Sequence, residues 1–323
     1  MSTISAMPKR TAGAPPEIAL GTMNFGKRTS TKDSERLVRM ALERGVRVFD
    51  TANYYNGGES ERILGRALGR DRERALVATK VGLDRIAGRP EGLSRGALLR
   101  ALPASLERLG TDHVDLYYLH APDRTTPLEE TLDAMNDVVR SGRALGWGVS
   151  NYAAWEILEM NVQADSRGFS RPIASQVLYN ALHRQLDVEY FAFARRHPIH
   201  TTVYNPLAGG LLTGNHRQGE RPSKGSRFDE NVVYQRRYWT PTMFERVDQL
   251  RNLATEEGWS LLELAYAWVA SRSDVDSILV GPADVAQLEQ AFNAISRVLP
   301  PELGARVDDL ARKWSGTDTA YVR

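Results

Sequence analysis

Four polar residues of different type fall at or just past the ends of short β-branched runs. Asp50 closes one run and Tyr55 follows five residues on; Lys80 and His120 close two others. A tyrosine with an ordinary pKa of about 10 exchanges protons poorly at neutral pH. A lysine ammonium beside it stabilises the phenolate and lowers that value, while a carboxylate holds the lysine in place. A histidine next to the phenol orients or polarises a substrate oxygen. Such a set suits delivery of a proton to a carbonyl oxygen as charge develops there. It suits hydrolysis badly, because no Ser or Cys nucleophile and no metal-binding cluster accompanies it. No side chain donates hydride, so a reductive reading requires a bound hydride source.

The runs that must position these residues are Glu17–Gly21, Val46–Asp50, Ala75–Lys80, Val114–His120, Ala144–Ser150, Ala174–Leu178, His200–Tyr204 and Ser277–Val280. Helix-like stretches lie between them, among them Thr31–Arg44 before Gly45, Ser94–Leu109 before Gly110, Leu128–Arg140 and Trp155–Ala164. Eight strand–helix units in one register predict a parallel sheet with crossover helices. Eight is also the number that closes a barrel. The competing open sheet would show G-x-G-x-x-G after its first strand, which is absent. The expected fold is therefore a single-domain α/β (β/α)8 TIM barrel over residues 17–323. It follows a flexible start at 1–16, carries a long loop at 205–240 after the seventh strand, and ends in a helical tail at 297–323. In such a barrel the strand C-termini form the catalytic rim. That puts Asp50, Tyr55, Lys80 and His120 together, with Ser150, Asn151, Gln176 and Tyr204 on the next strand ends.

Composition narrows the classes further. The 323 residues carry 42 Lys+Arg against 40 Asp+Glu, a net charge of +2, which argues against a nucleic-acid binder. There is no cysteine, so disulfides, thiolate nucleophiles and Cys-based metal sites are excluded. The first sixteen residues have no apolar core of a signal peptide. The most apolar helical stretch, Leu261–Ala270, is too short to span a bilayer. These features predict a cytoplasmic protein acting on a small molecule. Gly21–Lys27 mimics a phosphate-binding loop, but Arg28 stands where Ser or Thr must meet magnesium. His183, His197 and His200 show no ligand spacing and no metal site is expected. Taken singly, Asp50 also reads as a cap, His120 as a strand-end histidine and Tyr54 as packing. The glycine-containing turns after the seventh and eighth strands, Asn205–Gly214 and Gly281–Asp284, sit where barrels bind phosphate.

FDTANYYNGGESERILGRAL, ATKVG, DLYYLHAPD, GVSNY, YNPLAGGLLTG and GPADVAQLE together resemble the aldo-keto reductase superfamily, in matching order from Ala19 to Glu289. GSRF, the run Tyr234…Arg237-Tyr238-Trp239 and the terminal Tyr-Val-Arg323 look most like its aflatoxin-aldehyde and succinic-semialdehyde reductase branch. The resemblance implies an NADPH-dependent aldehyde or ketone reductase, with NADH as the other cofactor. A rival implied by the same barrel is a cofactor-binding regulatory subunit similar to potassium-channel β-subunits; a homodimer is a further possibility.

Carried over by position, Tyr55 would give the proton, with Lys80 and Asp50 lowering its pKa and His120 orienting the carbonyl. Asp50, Met23, Ser150, Asn151, Gln176 and Tyr204 match residues around the nicotinamide. Asn205, Pro206, Leu207, Gly209, Leu211 and Gly214 would wrap the pyrophosphate, with Gly281 and Gln287 on the other turn. Arg227 would approach the 2′-phosphate. An acidic substrate end would meet Tyr234, Arg237 and Arg323. The pattern departs at Pro282 and Ala283, where Ser, Lys or Arg is usual, and at Ala291, where Asn is usual. That departure implies a reduced preference for NADPH over NADH.

Overall fold

The computed structural model describes residues 7–315. In chain order the elements are β1 (Glu17–Gly21), α1 (Thr31–Glu43), β2 (Val48–Asp50), α2 (Glu59–Leu68), β3 (Leu76–Val81), a hairpin of β4 (Arg85–Ile86) and β5 (Arg89–Pro90), α3 (Arg95–Leu109), β6 (Val114–Leu119), α4 (Leu128–Arg140), β7 (Ala144–Ser150) and α5 (Ala154–Ser166). There follow β8 (Ala174–Leu178), α6 (Tyr190–Arg196), β9 (His200–Tyr204), α7 (Val232–Tyr238), α8 (Pro241–Glu256), α9 (Leu261–Ala270), β10 (Ser277–Val280), α10 (Val285–Ser296) and α11 (Pro301–Ser315).

The eight parallel strands close in the order β1-β10-β9-β8-β7-β6-β3-β2. This is the expected (β/α)8 barrel. All eight expected runs form strands, because β-branched and aromatic side chains buried on both faces favour the parallel ladder. Strand ends shift slightly. Val46 does not join β2, since its N–H turns back to the Ala41 carbonyl at the end of α1. His120 lies just past β6, yet its N–H still bonds the Val81 carbonyl at 2.9 Å, which fixes it at the rim. Helix starts follow their caps: Ser94 accepts from the Ala97 N–H, and Ser260 from that of Glu263. Gly65 on α2 is needed for packing. A Cβ there would meet the Leu109 carbonyl oxygen of α3 at 2.2 Å, so glycine alone allows this approach.

The described chain start and the long loop after β9 carry structure of their own. The described part of the start, residues 7–16, is latched beneath the barrel. Met7 packs on Ala78, Leu116, Tyr118 and Ala174, and the Arg10 guanidinium donates to the carbonyls of Ala270, Arg272 and Val275. The segment 205–240 is a built layer containing α7, with Leu211, Phe228 and Tyr238 fully buried. Its aromatic residues are ordered by joining the main hydrophobic core, with Phe228 and Tyr238 inside it and Tyr234 and Trp239 packed against it. The tail folds as α11 as far as Ser315; Arg323 lies outside the described residues.

Candidate active site

Inside the rim, Asp50 and Lys80 form an ion pair, with Asp50 2% exposed and Lys80 fully buried. Lys80 Nζ also donates to the Thr51 carbonyl at 2.8 Å. From the far side of the barrel Gln176 Nε2 donates to the other Asp50 oxygen at 2.8 Å. Neighbouring strands β2 and β3 supply the pair because their register sets Asp50 opposite Ala78, two residues before Lys80. Side chains two apart point to one face, here the interior.

Tyr55 reaches the pair from the loop after β2. Lys80 Nζ lies 5.2 Å from the centroid of its ring. His120 stands edge-on to that ring, with centroids 5.9 Å apart. Tyr54, expected as mere packing, touches both rings, at 5.0 Å from Tyr55 and 5.3 Å from His120. It therefore packs directly against two of the four residues. The structure thus brings Asp50, Tyr55, Lys80 and His120 together.

Their electrostatics differ from the expectation at one point. Burial of the phenol, followed by the charge of Asp50, raises the Tyr55 pKa well above its ordinary value. Burial and Asp50 outweigh the Lys80 ammonium, which is itself engaged by Asp50 and Thr51. Tyr55 is consequently held as the neutral, proton-bearing phenol. Burial, and then the Lys80 charge, press the His120 pKa well below 6.5. The imidazole is neutral, and its buried Nδ1 has no hydrogen-bond partner among the described residues.

Asn151 organises the next part of the rim. It has φ +65°, a conformation that asparagine tolerates better than most residues. Its Nδ2 donates to the His120 carbonyl and to Ser150 Oγ, each at 3.0 Å, and its Oδ1 accepts from the Tyr204 hydroxyl at 2.6 Å. Ser150 and Tyr204 thus meet its side chain, and its N–H bonds the Gln176 carbonyl at 3.1 Å.

The segment after β9 turns sharply, with positive φ at Asn205, Ala208, Gly209, Gly210 and Gly214. Pro206, Leu207 and Leu211 lie within the same turn. Arg227, from the later loop, reaches the loop after β1. Its Nη1 donates to Met23 Sδ at 2.9 Å and its Nη2 to Asn24 Oδ1 at 3.1 Å. Tyr234 lies between two guanidinium groups, Arg227 at 5.5 Å and Arg237 at 5.9 Å from its ring centroid. Gly281 lies on the β10 turn, and Gln287 in the first turn of α10 accepts from the Ala283 N–H of that turn through its Oε1.

Three participants escaped the sequence reading. Asn24 donates to the Gly281 and Pro282 carbonyls at 3.0 and 3.1 Å, joining the first loop to the last turn. Glu91 accepts from Asn53 Nδ2 through both oxygens at 3.0 Å and from the Gly82 N–H at 2.8 Å. Asn180 holds the Asn205 carbonyl at 2.9 Å. Only polar residues in loops are involved, and no periodicity marks them. Among the described residues there is no cluster able to hold a metal ion, and no helix is long and apolar enough to cross a membrane.

Comparison with known proteins agrees with this architecture. The aldo/keto reductase family model matches residues 17–312. Aflatoxin B1 aldehyde reductase member 2 of Mus musculus is 35% identical over 303 residues, covering 89% of this chain and 82% of the relative. A probable voltage-gated potassium channel subunit beta of Arabidopsis thaliana is 34% identical over 283 residues, 86% of each chain. An uncharacterized oxidoreductase of Bacillus subtilis is 33% identical over 322 residues, 94% of this chain and 95% of the relative. With its barrel, its rim and these matches in agreement, the chain belongs to the aldo/keto reductase family.

Proposed function

We propose that this protein reduces an aldehyde or ketone to the alcohol with NADPH, and with NADH as the alternate cofactor. The observation that carries the reading is the neutral Tyr55 phenol beside His120, above the buried Asp50–Lys80 pair. The residues present also fit a nicotinamide cofactor. Arg227 has no carboxylate partner among the described residues, and its Nη2 lies 4.0 Å from where a Cβ of Gly281 would stand on the β10 turn. Tyr204 and Gln176 would flank the nicotinamide, and the 205–215 segment and Arg227 would hold the phosphates. When bound, the reduced nicotinamide supplies the hydride.

The rest belongs to the chain's own groups. His120, neutral, offers an N–H to the carbonyl oxygen and orients it toward Tyr55. Tyr55 gives its proton as negative charge grows on that oxygen. Lys80 steadies the phenolate left behind, with its own position set by Asp50 and Thr51. Tyr54 packs against Tyr55 and His120.

An acid-bearing carbonyl compound is the preferred substrate in this reading. Arg237 has no ion pair among the described residues and lies against Tyr234 at the mouth. The channel-subunit name of one relative favours a second reading, in which the barrel binds cofactor without turnover. One assay separates them. Reduced cofactor is mixed with benzaldehyde or 2-carboxybenzaldehyde and its absorbance followed. Oxidation of the cofactor is expected, faster in kcat/KM for the acid. Absence of turnover with a panel of aldehydes and ketones, despite cofactor binding, would leave the regulatory reading standing.

A further inference from the structure

The loop after β1 carries an arginine that the site above leaves unused. Arg28 Nε donates to the Gly225 carbonyl at 2.8 Å, so this side chain meets the short segment that also carries Arg227. Arg227 comes to the same corner, bonded to Asn24 and 4.0 Å from where a Cβ of Gly281 would stand. Asn24 and Thr29 complete the junction, with the Thr29 hydroxyl donating to the Ala283 carbonyl at 2.9 Å. Residues 22–29, 225–227 and 281–284 thus meet at one place.

Neither guanidinium has an ion pair among the described residues. Asp229, the acidic group of this segment, accepts from the Gly225 N–H at 2.7 Å. A guanidinium carries five N–H donors. The hydrogen bonds here use one of Arg28 and two of Arg227. The two charges feel each other: burial and then the charge of Arg227 lower the Arg28 pKa. Like charges held close with donors to spare are relieved by an anion placed between them.

We propose that Arg28 and Arg227 together form a phosphomonoester site whose occupant is the adenosine 2′-phosphate of NADP(H). The first loop thereby supplies the cation that the β10 turn lacks at Pro282 and Ala283. This inference rests on the nicotinamide-cofactor reading. It also reverses the reduced NADPH preference expected from that turn alone. A dianion bridging two planar guanidinium groups gains charge-assisted bonds from both. The 2′-hydroxyl of NADH leaves the pair unneutralised.

The test is binding without turnover, read from quenching of tryptophan fluorescence by NADPH and by NADH. Arg28→Ala is expected to raise the NADPH Kd by about tenfold or more and to leave the NADH Kd nearly unchanged. Arg28→Lys should keep part of the NADPH affinity. Competition gives an independent arm: 2′-AMP should displace NADPH better than 5′-AMP, and Arg28→Ala should remove that advantage. Equal losses for both cofactors would assign Arg28 to holding residues 225–227 and overturn the site. An unchanged NADPH Kd, or equal NADH and NADPH affinity in the unmutated protein, would overturn it too while sparing the reductase reading. No binding of either cofactor would instead sink the reductase reading itself.

Discussion

Asp50 and Gln176 stand on strands that face each other across the barrel, and a 2.8 Å hydrogen bond joins them through its interior. The other Asp50 oxygen takes Lys80, so three strands are tied at one buried carboxylate. Removing one member of a buried ion pair strands the other charge, at a cost of about 3–5 kcal/mol. Lys80→Met and Asp50→Asn should each lose stability on that scale in urea unfolding, besides losing activity. The double variant should be more stable than either single one. A double variant whose loss equals the sum of both would show that the two charges do not compensate each other.

Tyr55→Phe removes one hydroxyl and nothing else. Carbonyl reduction should fall by about 10²–10⁴-fold, the usual worth of general acid catalysis, while the cofactor Kd stays put. In the cofactor-free protein the phenol should ionise only above the ordinary tyrosine range of about 10, because burial and Asp50 both oppose the phenolate. The tyrosinate absorbance difference between the unmutated protein and Tyr55→Phe measures this directly. Ionisation of Tyr55 below pH 9 would contradict the electrostatic account.

Glu91 acts on Tyr55 at a distance. It clamps Asn53, whose backbone N–H in turn bonds the Lys80 carbonyl at 3.1 Å, so the tyrosine loop and the lysine strand are locked together. Glu91→Ala should lower kcat by about 10–100-fold through misplacement of the phenol. Glu91→Gln, which keeps an acceptor for Asn53, should recover part of it. A cofactor Kd that rises as steeply as kcat falls would point to general loosening of the rim.

Acid should weaken the fold through its buried histidines. His200 is bonded on both nitrogens at 2.7 Å, to the Pro8 carbonyl and to Ser277 Oγ, and burial lowers its pKa. Burial, followed by the charges of Arg237 and Arg246, lowers that of His183 to about 4. An unfolded histidine takes its proton near pH 6.5, before the folded one does. Stability is therefore full above that value and declines as pH falls from about 6.5 toward 4. The Tm should drop across this window, less so in His183→Asn. Identical slopes for the two proteins would remove His183 from the effect.

The barrel was legible because each strand is a short β-branched run closed by a turn. The rim was legible because catalytic types recur at those run ends. Asn24, Arg28 and Glu91 were not. Asn24 and Gly281 are 257 residues apart, and no local pattern announces such a bond. Gly21–Lys27 drew notice only for its likeness to a phosphate loop. The direction of the Tyr55 shift was also hidden, since it depends on how far Asp50 consumes the charge of Lys80.

The barrel closes where β1 pairs with β10, and Arg10 latches that seam 266 residues from its partner Asp276. A chain emerging from the ribosome makes β1 first and its neighbour nearly last. Until then the open sheet presents two unpaired edges to the cell, one on β1 and one on the latest strand. Closing the ring is accordingly the slow, long-range event, because loop closure must precede its reward. The half-made sheet is the form most exposed to edge-to-edge association.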